Sequence, residues 1–265
     1  MIDTEKQSHI IIISNEKGGT GKSTLSMHLA IKLMYEKYNV AVIDLDGRQG
    51  TLSKYINYRR EFNKKNDIKL PIPLHYIFEP EKNQTNETEI KNLIGELSCK
   101  VDAIIIDTPG FKNYLFDLAH EYMHTLVTPI SDSLIDLSSI ADIDPQTGEF
   151  LHAGNYAEFV WDAKKRLANK GLSYLNWVVC GNKISNLRSN NKNFVFEKLQ
   201  NLSKLYGFRF TKGLKDRVVY KELFFNGLTV LDLSNPYLKS RMTMSQLAAK
   251  VEINEVAEFI FAQNN

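Results

Sequence analysis

The chain has 265 residues, 43% hydrophobic and 24% charged. These are the proportions of an ordinary globular protein and suit one large α/β domain or two small ones. A formal net charge of +2 excludes a whole-molecule field for a polyanion, so a nucleic-acid surface has to be a local patch, and two cysteines far apart in sequence, Cys99 and Cys180, exclude a disulfide framework.

The first residues, Met1 to Gln7, contain no basic region leading into a long apolar stretch, and the run at 10–13 is too short for a signal-peptide core. No uncharged apolar stretch approaches the roughly 20 residues needed to cross a bilayer, so a cytoplasmic location is expected. Residues 10–13 (four isoleucines) read as a buried first strand. From Gly21 to about Tyr35 the spacing predicts a helix with Leu25, Leu29 and Leu33 on one face. Residues 40–43 form a second strand. Residues 81–90 are polar and read as a surface loop passing into a helix; their NxT sequons at Asn83 and Asn86 mean nothing in a cytosolic protein. Residues 103–106, 125–127 and 177–179 read as further strands. Residues 131–160, with Asp136, Asp142, Asp144 and Pro145, read as a loop-rich insertion. The last helix, near 242–261, has Leu247, Val251, Val256, Ile260 and Phe261 as its apolar positions. Its polar face carries Glu252, Glu255 and Glu258, whereas a membrane-seeking helix is basic there, so it reads as a packing helix without a direct membrane anchor. Strands that are apolar throughout are buried on both faces. That pattern predicts an α/β fold, a doubly wound, mostly parallel sheet with helices on both faces, in a single domain over 1–265.

The strongest chemical signal is Lys17-Gly18-Gly19-Thr20-Gly21-Lys22-Ser23-Thr24, which follows a strand and opens a helix. Glycines let the backbone wrap phosphates with its amides inward, and the helix N-terminus adds positive potential. Lys22 reaches the β- and γ-phosphates and the Ser23 hydroxyl can ligate Mg²⁺. Acidic residues end two strands in the order such a site needs. Asp44 and Asp46 follow the second strand, and Asp107 ends residues 104–107 ahead of Thr108-Pro109-Gly110. Asp107 would hold Mg²⁺ through water, and Gly110 would let the following segment respond to the γ-phosphate.

The plain pattern asks for glycine at position 16, where this chain has Glu16, and places Lys17 at the head of the loop instead. The KGGxGK[ST] form resembles the deviant Walker A motif of the ParA/MinD superfamily of P-loop NTPases. Further segments are similar to the MipZ-type division regulators of alphaproteobacteria: Asn15-Glu16-Lys17, Asp44-Leu45-Asp46-Gly47-Arg48-Gln49, Val127-Thr128-Pro129 with Asp132-Ser133, Asp144-Pro145, Gly207-Phe208-Arg209, Gly213-Leu214-Lys215-Asp216-Arg217-Val218 and Leu231-Asp232-Leu233-Ser234. The resemblance runs from about residue 9 to about 260. It implies an ATPase that binds ATP and Mg²⁺ and forms a homodimer when ATP-bound. It implies binding to nonspecific duplex DNA and a ParB-type centromere-binding protein, inhibition of FtsZ assembly to position the division site, and association with nucleoid and pole. Residue by residue, it assigns Lys17 to phosphate across the dimer and Asp46 to the attacking water, the two catalytic roles. The nucleotide would be held by Gly18, Gly19, Thr20, Gly21, Lys22, Ser23 and Thr24, with Asn182 at the adenine edge. Ser23, Asp44 and Asp107 would serve the metal. Gly47 departs from the bulky residue expected there, which would loosen the switch around Asp46.

Residues 183–221 are locally basic. Such a stretch is commonly a solvated face, but the superfamily uses dimeric basic surfaces for DNA, which points to Lys198, Arg209, Lys215 and Arg217. His120-Glu121-Tyr122-Met123-His124 matches the zinc-protease motif HExxH by coincidence, lacking a third ligand and sitting directly before an apolar strand. Two alternatives remain: a ParA-type partition ATPase, disfavoured by the absence of DxDPQ, and a metabolic P-loop ligase, disfavoured by Lys17.

Overall fold

A computed structural model describes residues 7–79, 85–144, 146–171, 175–186, 190–238 and 242–262. In chain order the elements are β1 (His9–Ile13), α1 (Lys22–Tyr35), β2 (Val40–Asp44), α2 (Thr51–Asn66), β3 (Leu74–Ile77), α3 (Thr85–Ser98), β4 (Ala103–Asp107), α4 (Tyr114–Ala119) and β5 (Thr125–Ile130). There follow α5 (Leu134–Leu137), β6 (Ala141–Ile143), β7 (Phe150–Ala153), α6 (Asn155–Asn169), β8 (Asn176–Gly181), α7 (Asn190–Tyr206), β9 (Arg209–Thr211), α8 (Val218–Phe224) and α9 (Met244–Phe261). Asn83, Pro145 and Arg188, which belong to the sequons, the insertion and the basic stretch, lie outside the described residues.

Seven strands make one sheet in the order β3-β2-β4-β1-β5-β8-β9, and every pairing in it is parallel. Side chains alternate across a strand, so each isoleucine run feeds two cores. Ile10, Ile12, Ile104 and Ile106 pack under α3, α4, α6 and α7. Ile11, Ile13, Val42 and Ile105 pack under α1, α2, α8 and α9. The five strands expected from their apolar runs are the central five, and helices cover both faces. Crossing from β4 over β1 to β5 reverses the winding of the sheet, which leaves a crevice at the carboxyl ends of the strands beside β1.

The structure departs from the sequence reading in three places. The edge strands β3 and β9 were not expected; β3 carries an exposed Leu74 and Ile77, so its sequence has no buried-run signature. The described residues of the segment at 131–160 are not loop-rich: they hold α5, an antiparallel β6–β7 pair and the start of α6, anchored by buried Leu137, Ile140, Ala141 and Tyr156. On α9 the buried stripe is Ala249, Ile253, Val256, Ala257 and Ile260, leaving Leu247 and Val251 exposed, because small residues let the helix sit close to α1. Among the described residues no helix is long and apolar enough to cross a membrane.

Candidate nucleotide site

Between β1 and α1 the chain turns through residues 14–21, with left-handed φ of 78° at Gly19 and 86° at Gly21. The turn is braced from β5, where Asn15 Nδ2 donates to the Pro129 carbonyl at 2.8 Å while Asn15 Oδ1 accepts from the Lys17 amide at 2.9 Å. The amino end of α1 therefore stands behind a loop whose amides are available to an anion. Lys22 is buried, and its Nζ donates to the carbonyls of Asn15 (3.1 Å) and Lys17 (3.0 Å). Burial lowers its pKa, against the carboxylates of Asp107 and Asp46, which favour the charged form.

Asp107 ends β4 in full burial. Its Oδ1 accepts from Ser26 Oγ at 3.1 Å, and Oδ2 has no hydrogen-bond partner. Burial, then the charge of Asp44, pushes its pKa up to about 7, against Ser23, Lys22 and Ser26. A hydroxyl and a buried carboxylate with an unpartnered oxygen are hard donors that suit Mg²⁺, so the residues present fit that ion. Asp44, expected with them at the metal, is used differently. Its Oδ1 accepts from the Asp46 amide (3.0 Å), and its Oδ2 accepts from both the Ser53 amide (3.0 Å) and the Ser53 hydroxyl (2.6 Å), which also meets His75 Nε2 at 2.9 Å. With both oxygens engaged inside the chain, Asp44 fixes the turn that presents Asp46. Burial and then Asp44 raise the pKa of Asp46, opposed by Lys22 and the Gln49 amide. Gly47 does not loosen this turn. Its amide donates to the Phe78 carbonyl at 3.2 Å, and a Cβ there would lie 2.6 Å from that oxygen. Gly110, past β4, is pressed against the loop, where a Cβ would lie 2.7 Å from Gly18 Cα.

Beside the loop lies a cleft of about 350 Å³ reached by Gly21, Thr24, Thr51, Asn182 and Lys183 and walled by Leu214, Tyr220, Phe224 and Phe225. Asn182 Nδ2 donates to the Thr20 carbonyl at 2.6 Å, which ties the end of β8 to the phosphate loop. Lys17 points elsewhere. Its side chain is 44% exposed, and its ammonium pairs with Asp136 on α5, whose Oδ2 accepts from the Ser131 amide at 3.0 Å.

The four residues expected to meet DNA are not brought into one patch. Arg209 lies toward the opposite end of the sheet, where Nε donates to Asn176 Oδ1 and Nη2 to the Ile260 carbonyl, both at 3.1 Å, with the guanidinium over Phe259. Arg217 donates to both Glu252 oxygens, at 3.1 and 2.6 Å, and its side chain is 11% exposed. Lys198 lies over Phe194, and Lys215 is exposed beside the cleft. The two histidines of the HExxH match make separate hydrogen bonds. His120 Nδ1 meets the Phe116 carbonyl at 2.6 Å, and His124 Nδ1 accepts from the Ile10 amide at 3.0 Å. Sequence reading missed Ser26, Ser53, His75 and the aromatic wall of the cleft. Ser26, two residues past the Lys17–Thr24 box, and Ser53, two residues into the helix after Asp46, sit near motifs that could have flagged them.

The family model described as MipZ, ATPase MipZ, matches residues 9–260. The uncharacterized protein MJECL24 of Methanocaldococcus jannaschii is 29% identical over 163 residues, 49% of this chain and 62% of that protein. The chain spans between 16% and 62% of the length of the curated relatives it matches. An ATP complex of a Cyanothece McdA variant shares the fold at TM-score 0.62 and 14% identity, covering 98% of this chain and all of that one, 100%. The MinC:MinD complex of Aquifex aeolicus matches at TM-score 0.58 and 13% identity, covering 97% of each chain.

Proposed function

The chain belongs to the MipZ family of ParA-type ATPases, and on that premise we propose that it is a nucleotide-driven dimer switch. The observation that carries this is the division of labour between two lysines of one loop. Lys22 is buried over the loop's own carbonyls, where phosphates would replace them, while Lys17 stands outside that cradle. A lone site is served by Lys22, so Lys17 finds its use on the phosphates of a second copy. Loop amides and Ser23 to Thr24 hold the phosphates, and Asn182 and the aromatic cleft take the nucleoside. Ser23 and Asp107 would hold Mg²⁺, which when bound neutralises charge on the β- and γ-phosphates. Asp46, kept in place by Asp44 through its amide, positions water in line with the γ-phosphorus. The water oxygen bonds to phosphorus, the bond to the ADP oxygen breaks, and the proton passes by way of Asp46 to solvent or phosphate.

Family membership extends the reading to partners. The ATP-bound dimer binds nonspecific duplex DNA and a ParB-type protein and inhibits FtsZ assembly, concentrating the protein at nucleoid and pole. Sedimentation of FtsZ polymer with the purified protein and ATP tests this. Less polymer is expected with wild type than with Lys22→Ala; equal polymer in both refutes the division-regulator role.

A further inference from the structure

The edge strand β3 meets the turn from Asp44 to Ser53 at three points. The Phe78 amide donates to the Asp44 carbonyl at 2.9 Å, and the Phe78 carbonyl accepts from the Gly47 amide at 3.2 Å. The third point is the half-buried side chain of His75, which stands opposite Val42 in the sheet and brings its Nε2 to 2.9 Å from Ser53 Oγ. A serine hydroxyl has a single proton, and Ser53 donates it to Asp44 Oδ2 at 2.6 Å. The hydrogen in the contact with His75 therefore comes from the ring, which puts it on Nε2. Burial, then the charge of Arg60, lowers the pKa of His75, against the charge of Asp44. Near neutral pH the ring is thus uncharged, with its one N–H aimed at Ser53. The result is a one-way chain of donors: His75 to Ser53, and Ser53 to Asp44. The other oxygen of Asp44 accepts from the Asp46 amide at 3.0 Å.

We infer that His75 is a positioning residue for ATP hydrolysis: through Ser53 and Asp44 it fixes the backbone from which Asp46 reaches the attacking water. The inference rests on the reading of Asp46 given above. A hydroxyl rotates and accepts as readily as it donates, so Ser53 by itself does not hold its proton on Asp44. The Nε2 donor occupies a lone pair of Ser53 Oγ and leaves the proton directed at the carboxylate. Donors linked in one direction also strengthen one another. Asp44 is fully buried, so water does not replace a lost donor there at low cost. His75 touches neither the phosphate loop nor the cleft beside it. A turn that shifts without it misplaces the water and leaves the nucleotide contacts intact. The effect then falls on kcat and not on KM.

The test is steady-state phosphate release by the full chain across an ATP series, with kcat expressed per nucleotide-binding site. His75→Phe should lower kcat about fivefold, the rate equivalent of one hydrogen bond, with KM within about twofold of wild type. His75→Leu is the second variant should the first fail to melt like wild type. His75→Gln carries an amide N–H where the ring has Nε2, and should return kcat to within about twofold of wild type. Ser53→Ala should lower kcat by itself, and adding His75→Phe to it should lower kcat no further, because the histidine acts through that hydroxyl. An unchanged kcat in His75→Phe, a loss that glutamine does not restore, or a further loss in the Ser53→Ala background overturns the inference. A loss confined to KM or to melting temperature overturns it too, and leaves His75 as a brace of β3. Asp46→Ala on the same assay separates the two readings. If it turns over like wild type, the assignment of Asp46 fails and takes this inference with it; if it loses turnover while His75→Phe does not, the inference alone fails.

Discussion

At the residue scale, the turn from Asp44 to Ser53 concentrates what is specific to this chain. Gly47 has to lack a side chain because its backbone approaches the Phe78 carbonyl, so Gly47→Leu must displace either β3's exit or Asp46. A loss of about 1–3 kcal/mol is expected, read as a lower urea midpoint, together with slower ATP hydrolysis; a variant with wild-type stability and turnover would show that the approach is not tight. Asp46→Ala should lower hydrolysis on the order of 10²-fold, the scale of a lost water-positioning group, while ATP-driven dimerisation survives. Phosphate release and light scattering on the same sample separate the two. The P-loop was legible because its residues are contiguous and its strand–turn–helix setting is local. Asp136 and Ser53 were not: each meets its partner across 119 and 9 residues of chain respectively, and pairings at such a range follow from the fold and not from spacing.

At the element scale, the central strands were legible as apolar runs because parallel strands here are buried on both faces, whereas β3 and β9 border solvent and lack that signature. The anchoring of α2 was equally hidden. Arg59 is fully buried; its Nη1 and Nη2 each donate to Asp232 at 2.7 Å, and its Nε donates to the Pro71 carbonyl at 2.6 Å. Tyr35 and Thr229 also donate to Asp232. Burial pushes the Asp232 carboxyl up, and these partners, Arg59 foremost, outweigh it and hold the pKa low. Removing one member strands a buried charge, so Asp232→Ala should cost about 3–5 kcal/mol in urea unfolding, most of it by freeing Arg59. Two buried histidines add an acid dependence. Burial lowers His28 and His120 to about 4, against opposing bonds from Thr24 and Phe116. A folded-state pKa below the unfolded value of about 6.5 means that the stability is fully present above that value and is lost as pH falls toward 4. The loss is up to about 3 kcal/mol for each histidine. Urea midpoints at pH 7 and pH 5 should show the drop, and His120→Leu should flatten it; a midpoint that does not move with pH would contradict neutral burial.

At the scale of the whole molecule, a net charge of +2 leaves DNA affinity to whichever cations are free, and the structure sorts the four expected here. Arg209 and Arg217 clamp β9 and the start of α8 to α9, so each is part of the fold. Lys215 is exposed, and Lys198 rests on Phe194 with its ammonium near the surface. If the ATP-bound dimer binds duplex DNA as proposed, each subunit supplies too few phosphate contacts for lasting affinity, and the second subunit's set engages at high effective concentration. Affinity should then fall steeply with salt, and each lysine in contact should contribute about 0.9 to the slope of log affinity against log salt. Lys215→Ala should shallow the slope by that amount on any sequence. Arg217→Ala should leave the slope unchanged and lower the melting temperature instead, because it removes both guanidinium bonds to Glu252 and leaves only the Lys215 amide on that carboxylate. Fluorescence anisotropy across a salt series, with Asp46→Ala holding the dimer, distinguishes the two. A slope that shifts with Arg217 and not with Lys215 would mean that the Glu252 pair opens on DNA, and that the basic surface is assembled only in the complex.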